Sequence, residues 1–362
     1  MSNMNKSSPA PTRELLHVSD EWAIPQITES LMMALAGRGP ALAFSPTSLI
    51  SVPANVAVVL STTGSTGKPK DVLLSAKALI SSAKAAHKFL DAHIGDRWSL
   101  LLPLTHIAGV NVLVRALELG TQVIDLRVVK KYSDVDFTSI VPTQLHRALN
   151  GDAELLSHLQ RARAVLVGGA AASAPLLNSA RESGINVITT YGMSEMSGGC
   201  IYNNQAIDGA KYRINSEGLI ELSGPMMAEG IGVDGWFTTS DLGEVIADRI
   251  LVKGRVDDVI VSGGENISLH QVEVVLATAF PGQEIMAIGI PDKEWGERLL
   301  ILSNKEIDLA YAKTVLKENI GQYASPKEIM LLDSLPMKGI GKPDRSRARE
   351  LFNESNRVSS NE

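Results

Sequence analysis

The sequence predicts an α/β protein in two parts, a large N-terminal domain with mostly parallel sheets flanked by helices and a small mobile C-terminal α+β domain. Three observations carry this reading. Short apolar, β-branched runs alternate with helical periodicity through the first half of the chain. Glycine-spaced strands follow from Lys211, and a compact mix of helix and strand lies beyond Gly254.

Each element has its own signal. The first twenty residues, 1–20, read as a loose tail, and VAVVL (56–60) has the composition of a buried strand, with VLLS after it as another. WSLLL (98–102) reads as strand, the apolar-periodic stretch to Leu119 as helix, and TQVIDL (121–126) as strand. RAVLV (163–167) stops at Gly168 and Gly169, Pro175 suits the first turn of a helix, and INVITTY (185–191) is strand again. This order favours parallel sheet with helices on both faces. GLIELSG (218–224) and RILVKG (249–254) suit a distorted antiparallel region. The C-terminal pattern is helix (about 268–280), strands (285–290 and 298–303), helix (308–320) and strand (327–332). The expected domains are therefore 1–254 and 255–362.

Composition narrows the function classes. A 362-residue chain with 44% hydrophobic and 20% charged residues is long enough for two proper cores. No apolar run approaches the roughly 20 residues needed to span a bilayer. A formal net charge of -6 supplies no broad basic field for nucleic acid. The single cysteine, Cys200, excludes an internal disulfide, and the polar start MSNMNKSSPAPTRE lacks the apolar stretch of a secretory signal. The expectation is a cytoplasmic protein with a small-molecule partner, without membrane insertion and with its oligomeric state open.

The first chemical signal is TTGSTGKPK (62–70), between two strand-like runs. Glycines let the backbone close on a polyphosphate, and hydroxyls and amides then act as donors. The spacing excludes a P-loop, which needs four residues between its first glycine and a Gly-Lys pair followed by Ser or Thr. A plain flexible hairpin is the alternative for this stretch alone.

TTGSTGKPK resembles the phosphate-binding signature of the adenylate-forming superfamily of acyl-CoA synthetases, luciferases and adenylation domains. Further motifs follow in that superfamily's order: PLTHIAG (103–109), GGA (168–170), YGMSE (191–195), TTSDLGE (238–244), GRVDDVIVSGGENI (254–267) and GIGKPDR (339–345). The resemblance runs from about Asn55 to Arg345. It implies an enzyme that joins a carboxylic acid to AMP, using ATP and Mg2+, and then forms a thioester with coenzyme A. The early position of the phosphate loop implies a truncated first subdomain. That trimming, with HIAGVNVLVRAL and TYGMSEMSGGCIYN, is similar to short forms of the o-succinylbenzoate:CoA ligase family of menaquinone synthesis. Another aryl- or acyl-CoA ligase, or a stand-alone adenylating enzyme that loads a carrier-protein thiol, is the alternative.

The resemblance also implies roles. Thr62, Thr63, Gly64, Ser65, Thr66, Gly67 and Lys70 would cradle the phosphates, and Glu195 would hold Mg2+. Gly169, Tyr191, Gly192 and Ser194 would meet the adenylate, Asp241 and Arg255 the ribose. His106 would gate the acyl and pantetheine passages, and Arg115 would meet a second carboxylate on the substrate. Gly168, Gly169, Gly192 and Ser197 would line the rest of the acyl site. Lys342 would supply the catalytic cation, with Lys338 its competitor. Asp257 would be the hinge between domains, and Gly263 and Gly264 would line the coenzyme A channel. Taken singly, each has an ordinary reading: a core tyrosine, an interior histidine, a turn aspartate, a solvated lysine, a helix-surface arginine. Three residues depart from the motifs: Asp71 stands where glycine is usual, Ser194 replaces threonine and Ser240 replaces glycine. Asp71 places a negative charge beside a phosphate site, which would weaken ATP binding unless its side chain turns away or pairs with a cation such as Lys70.

Overall fold

The computed structural model describes residues 11–63, 69–129, 131–338 and 342–359. Two sheets form the larger part. In the first, the strands lie in the order Ser51–Pro53, Thr12–His17, Ala41–Ala43, Val56–Thr63, Pro69–Ser75. Its inner pairs are parallel and its outer pairs antiparallel. In the second, Gln205–Ala206, Gly198–Tyr202, Val187–Met193, Ala164–Val167, Phe137–Ile140, Trp98–Leu100 and Ile124–Asp125 follow one another. Pairing is parallel from Val187–Met193 onward and antiparallel before it.

Strand periodicity explains the layers. Along Ala164–Val167, Ala164 and Leu166 face one core while Val165 and Val167 face another. The first core runs from Leu42, Val58 and Leu60 of the first sheet to Trp98 and Phe137 of the second, through the helices Ala76–Leu90 and Ile107–Glu118. Those two helices are therefore packed between the sheets. Ile107–Glu118 is buried along nearly its whole length, as a helix apolar on all sides must be.

Two expectations are corrected. Residues 12–17, expected within a loose tail, form a paired strand. TRELLH hides this in sequence because its polar side chains are used locally. The Arg13 guanidinium donates to the carbonyls of Ala34, Arg38, Gly39 and Val56, while Leu15 is buried. Conversely, only Ile124–Asp125 of TQVIDL pairs as strand. Thr121 instead closes the preceding helix, its amide and hydroxyl both bonded to Ala116 O.

A third, antiparallel sheet runs Lys211–Ile214, Leu219–Ser223, Phe237–Ile246, Arg249–Arg255. The turn Val256–Asp258 then leads into a fourth sheet, in the order Glu265–Ser268, Val259–Ser262, Gly296–Ser303, Ile285–Asp292, with Glu328–Leu331 also paired to Gly296–Ser303. Along Ile285–Asp292, Ala287 faces the helices Leu269–Ala279 and Leu309–Asn319, while Met286 and Ile288 face Ala348 and Phe352 of the helix Arg345–Ser359. Among the described residues, no helix is long and apolar enough to cross a membrane.

One close contact fixes the entrance of the buried helix. A Cβ at Gly109 would lie 2.3 Å from Pro103 O, a backbone atom that cannot rotate away. Alanine gains up to about 1 kcal/mol of helix propensity over glycine, but overpacking of this kind costs about 1–3 kcal/mol. Gly109→Ala is expected to lower stability in denaturant unfolding; a raised midpoint would show that the Pro103 turn yields freely.

Candidate active site

Thr62 and Thr63 end the strand Val56–Thr63, and Pro69 and Lys70 begin the next. The two strands form an antiparallel hairpin in which Ser61 faces Asp71, Thr62 faces Lys70 and Thr63 faces Pro69. A strand-to-strand hairpin also differs from the strand-to-helix geometry of a P-loop. Gly64, Ser65, Thr66 and Gly67 lie outside the described residues. Asp71 turns away from Lys70. Its carboxylate accepts from the hydroxyls of Ser61 and Thr47, the latter at 2.6 Å.

YGMSE is bent by three constraints. The strand Val187–Met193 pairs with Gly198–Tyr202 through an irregularity between Tyr191 and Gly192, and a 3-10 turn at Ser194–Met196 joins them. A Cβ at Gly192 would lie 2.0 Å from Gly198 O, so only glycine allows the strands to meet there. Ser197 sits at φ +50° and closes the turn through its amide to Ser194 O at 3.0 Å. Its carbonyl accepts from Asn111 Nδ2 at 2.7 Å and Ser82 Oγ at 3.0 Å, and its own hydroxyl donates to Met226 O at 2.8 Å. Ser197 is thus fully buried and bonded on both sides. Gly168 approaches Thr190, where an added Cβ would meet Thr190 Oγ1 at 2.2 Å, and Gly169 follows at φ +83°.

Tyr191, Asp241 and Arg255 come together. Tyr191 OH donates to Asp241 Oδ2 at 2.6 Å, and Arg255 Nη1 donates to Asp241 Oδ1 at 3.4 Å. The buried carboxylate is held from behind by its own amide on Thr239 Oγ1 at 3.0 Å. Burial, and then the Asp241 charge, push the Tyr191 phenol far above its ordinary value, so it remains a donor across the working pH range. The Arg255 fork also reaches Asp257, with Nε to Oδ1 at 2.8 Å and Nη2 to Oδ2 at 2.9 Å. Burial raises Asp257, but these Arg255 bonds outweigh it and leave the carboxyl below the usual range.

Half-buried Glu195 lies in the 3-10 turn, its carbonyl accepting from Ala228 N at 2.8 Å. Among the described residues, no cluster of three or more acidic, histidine or cysteine groups surrounds a metal position. A magnesium ion held by Glu195 would therefore take its other ligands from phosphate oxygens and water, the arrangement this hard cation favours. Ser194 is half-buried in the same turn. Cys200, behind the turn, has its thiol pushed up to about 12 by burial, which makes a thiolate role unsuitable.

His106 is the N-cap residue of the buried helix, its carbonyl accepting from Gly109 N and Val110 N. Arg115, nine positions on, is inside the protein and only 4% exposed. It donates to Tyr202 OH at 3.0 Å and Ser139 Oγ at 3.4 Å and lies over the Trp98 ring. Its Nε has no partner, and among the described residues no carboxylate pairs with it.

In the C-terminal part, Gly263 and Gly264, both at positive φ, form the two-residue turn between Val259–Ser262 and Glu265–Ser268. Gly263 is set against Trp295, whose carbonyl accepts its amide at 2.9 Å. Lys342 pairs in backbone register with Lys338. The Lys338 ammonium is bonded to Asp344 Oδ1 at 2.9 Å, at the base of this hairpin.

Sequence reasoning missed the supporting residues Thr47 and Trp295, which lie outside the motifs, and gave no role to Thr239 within TTSDLGE. Asp258, to which the sequence analysis gives no role, accepts from Arg345 Nε at its Oδ1 at 2.9 Å. The signal available was the arginine that ends GIGKPDR.

Comparison with known proteins follows the same division. The AMP-binding enzyme model matches residues 5–221, and the AMP-binding enzyme C-terminal domain model matches residues 271–342. A Mycobacterium tuberculosis protein named probable 2-succinylbenzoate–CoA ligase is 33% identical, covering 91% of this chain and 96% of its own. The 2-succinylbenzoate–CoA ligase of Listeria monocytogenes is 28% identical, over 81% of this chain and 70% of its own. Among solved structures, o-succinylbenzoate CoA synthetase from Bacillus subtilis in complex with its acyl-adenylate shares the fold, with a TM-score of 0.70 at 24% identity, covering 89% of this chain and 81% of that one. An amide bond synthetase from Marinactinospora thermotolerans does so with a TM-score of 0.72 at 20% identity, over 87% and 76%. With both models in chain order and a relative 33% identical across 91% of its length, the chain belongs to the AMP-binding enzyme family.

Proposed function

We propose that this chain is an AMP-forming acid–thiol ligase that activates o-succinylbenzoate with ATP and passes the acyl group to coenzyme A. The observation that carries the substrate is the near end-to-end match to the mycobacterial relative, 91% of this chain and 96% of that one. Arg115 supports it independently. A buried cation without an acidic partner is costly, and o-succinylbenzoate brings a second carboxylate besides the one that reacts.

In the first step, a carboxylate oxygen attacks the α-phosphorus of ATP and the bond to pyrophosphate breaks. Attack by one anion on another makes charge neutralisation the main task. Asp241 accepts the ribose hydroxyls, replacing the bonds it now receives from Tyr191 and Arg255, and Tyr191 packs on the adenine. The hydroxyls of the phosphate hairpin hold the leaving group, and Lys342 reaches the reacting oxygens. A magnesium ion at Glu195 would add positive charge on the phosphates. In the second step the coenzyme A sulfur attacks the acyl carbon and the bond to AMP breaks. Lys342 must then give way to the pantetheine arm, so the C-terminal domain turns at Asp257, in the segment between residues 254 and 258.

Three outcomes test this. o-Succinylbenzoate should drive coenzyme A-dependent AMP release far better than benzoate or medium-chain fatty acids; equal turnover of either would reject the substrate. Lys342→Ala should slow acid-dependent pyrophosphate exchange by about 10²–10³, the usual loss for one preorganised charge, while thioester formation from preformed acyl-AMP survives. Lys338→Ala serves as comparison, because that ammonium is already held by Asp344; loss of exchange there instead would reassign the catalytic cation. Asp257→Pro, which locks φ, should spare exchange to within a few-fold and depress transfer to coenzyme A much further. Asp257→Ala removes the Arg255 bond without locking the backbone and should retain both half-reactions. Proportional loss of both steps in the proline variant, with an unchanged melting temperature, would place the pivot elsewhere.

A further inference from the structure

Arg345 follows Lys342 by three residues and begins the helix Arg345–Ser359. Its side chain is only 10% exposed and gathers two acids from distant segments. Nε donates to Asp258 Oδ1 at 2.9 Å, Nη1 to Glu273 Oε1 at 2.7 Å, and Nη2 to Glu273 Oε2 at 3.2 Å and Asp258 Oδ2 at 3.5 Å. Asp258 ends the turn after the third sheet, and Glu273 lies in the helix Leu269–Ala279. Glu273 Oε1 also accepts Ala287 N at 2.9 Å, which ties the network to the strand Ile285–Asp292. Burial lowers the Arg345 pKa, but the two carboxylates outweigh it and keep the guanidinium charged.

The two adjacent aspartates are thus held by different bodies. Asp257 is bonded to Arg255, on the last strand of the third sheet, and Asp258 is bonded to Arg345. On its other side, Arg345 is joined to Lys342 by a short closed link. Asp344 N donates to Pro336 O at 2.9 Å, Asp344 Oδ1 accepts from Arg347 N at 3.0 Å, and Lys338 closes the hairpin base.

We infer that Arg345 is a positioning residue for acyl-adenylate formation: its fork ties Asp258 to the C-terminal domain, so the hinge ends at Asp257 and the Lys342 hairpin moves as one piece with that domain. A planar fork suits this, because two carboxylates at fixed angles leave it one orientation. The inference rests on the ligase reading above, since it assigns Lys342 to the first half-reaction.

The test uses the full chain with Arg345→Ala, Arg345→Lys and, as comparison, Arg347→Ala, whose side chain pairs with Glu350 and Glu354 on the surface. Three quantities are measured: acid-dependent pyrophosphate exchange, transfer from preformed acyl-AMP to coenzyme A, and deuterium uptake by peptides covering 256–262 and 337–343. Arg345→Ala should lower kcat for exchange by about 10², the scale of a misplaced catalytic group, with KM for ATP and the transfer step changed only a few-fold. Lysine should recover part of the exchange rate, and uptake should rise in both segments together. Unchanged uptake at 256–262, proportional loss of both half-reactions, or an equal effect of Arg347→Ala would overturn the inference. Should the wild-type chain exchange pyrophosphate with no acid, the ligase reading fails, while the uptake comparison still decides whether Arg345 joins the two segments.

Discussion

Burial of one helix, Ile107–Glu118, between two sheets fixes the Ser194–Met196 turn and the settings of His106 and Arg115. Its first turn presents His106, its middle supplies Asn111 and its last turn holds Arg115. Asn111 donates to Ser197 O and sits where a side chain at Gly198 would otherwise lie, 2.2 Å from the Cβ position. Through that bond the helix sets the turn that carries Ser194 and Glu195. Loosening the helix would therefore disturb the Ser194–Met196 turn and Arg115 at once. Of its buried polar side chains, Asn111 is committed to the turn, whereas Arg115 bonds Tyr202 and Ser139 but leaves Nε unpartnered.

At the nucleotide side the structure holds a pre-satisfied carboxylate. The Asp241 carboxylate receives bonds from Tyr191 and Arg255 while its amide donates to Thr239 Oγ1, and so it is oriented in the unliganded chain. A sugar that replaces the Tyr191 and Arg255 bonds exchanges one set of donors for another, so the net gain is small beside the orientation it secures. The exchange also has a consequence for the hinge. Arg255 is shared between Asp241 and Asp257, so any change in its bond to the first bears on its hold on the second.

The motifs were legible because each is a short contiguous run with a chemical purpose, and the strand and helix positions followed from periodicity to within a few residues. The C-terminal helices, expected at about 268–280 and 308–320, span Leu269–Ala279 and Leu309–Asn319. What was not legible depends on partners far apart in sequence. TRELLH lacks the apolar alternation of a buried strand, and its pairing becomes apparent only when Arg13 meets carbonyls 21 to 43 residues away. Asp71 read as a threat to phosphate binding. Its carboxylate is hydrogen-bonded by hydroxyls rather than paired with a cation, one of them 24 residues away on Thr47. Arg115 read equally well as a surface or a substrate group, because nothing in a helix sequence shows that both of its faces are covered.

Hydroxyl donors and a cation do different things for a carboxylate near a phosphate site. An ion pair with Lys70 would cancel Asp71 and, in the same act, remove a positive charge that the phosphates could use. Bonds from Ser61 and Thr47 leave the Lys70 ammonium uncommitted to Asp71 and fix the base of the hairpin from two directions. Charge is conserved for the ligand and rigidity is obtained from neutral groups. The acid at the base of the hairpin is thus satisfied by neutral groups, and the charge of the neighbouring Lys70 is not spent on it.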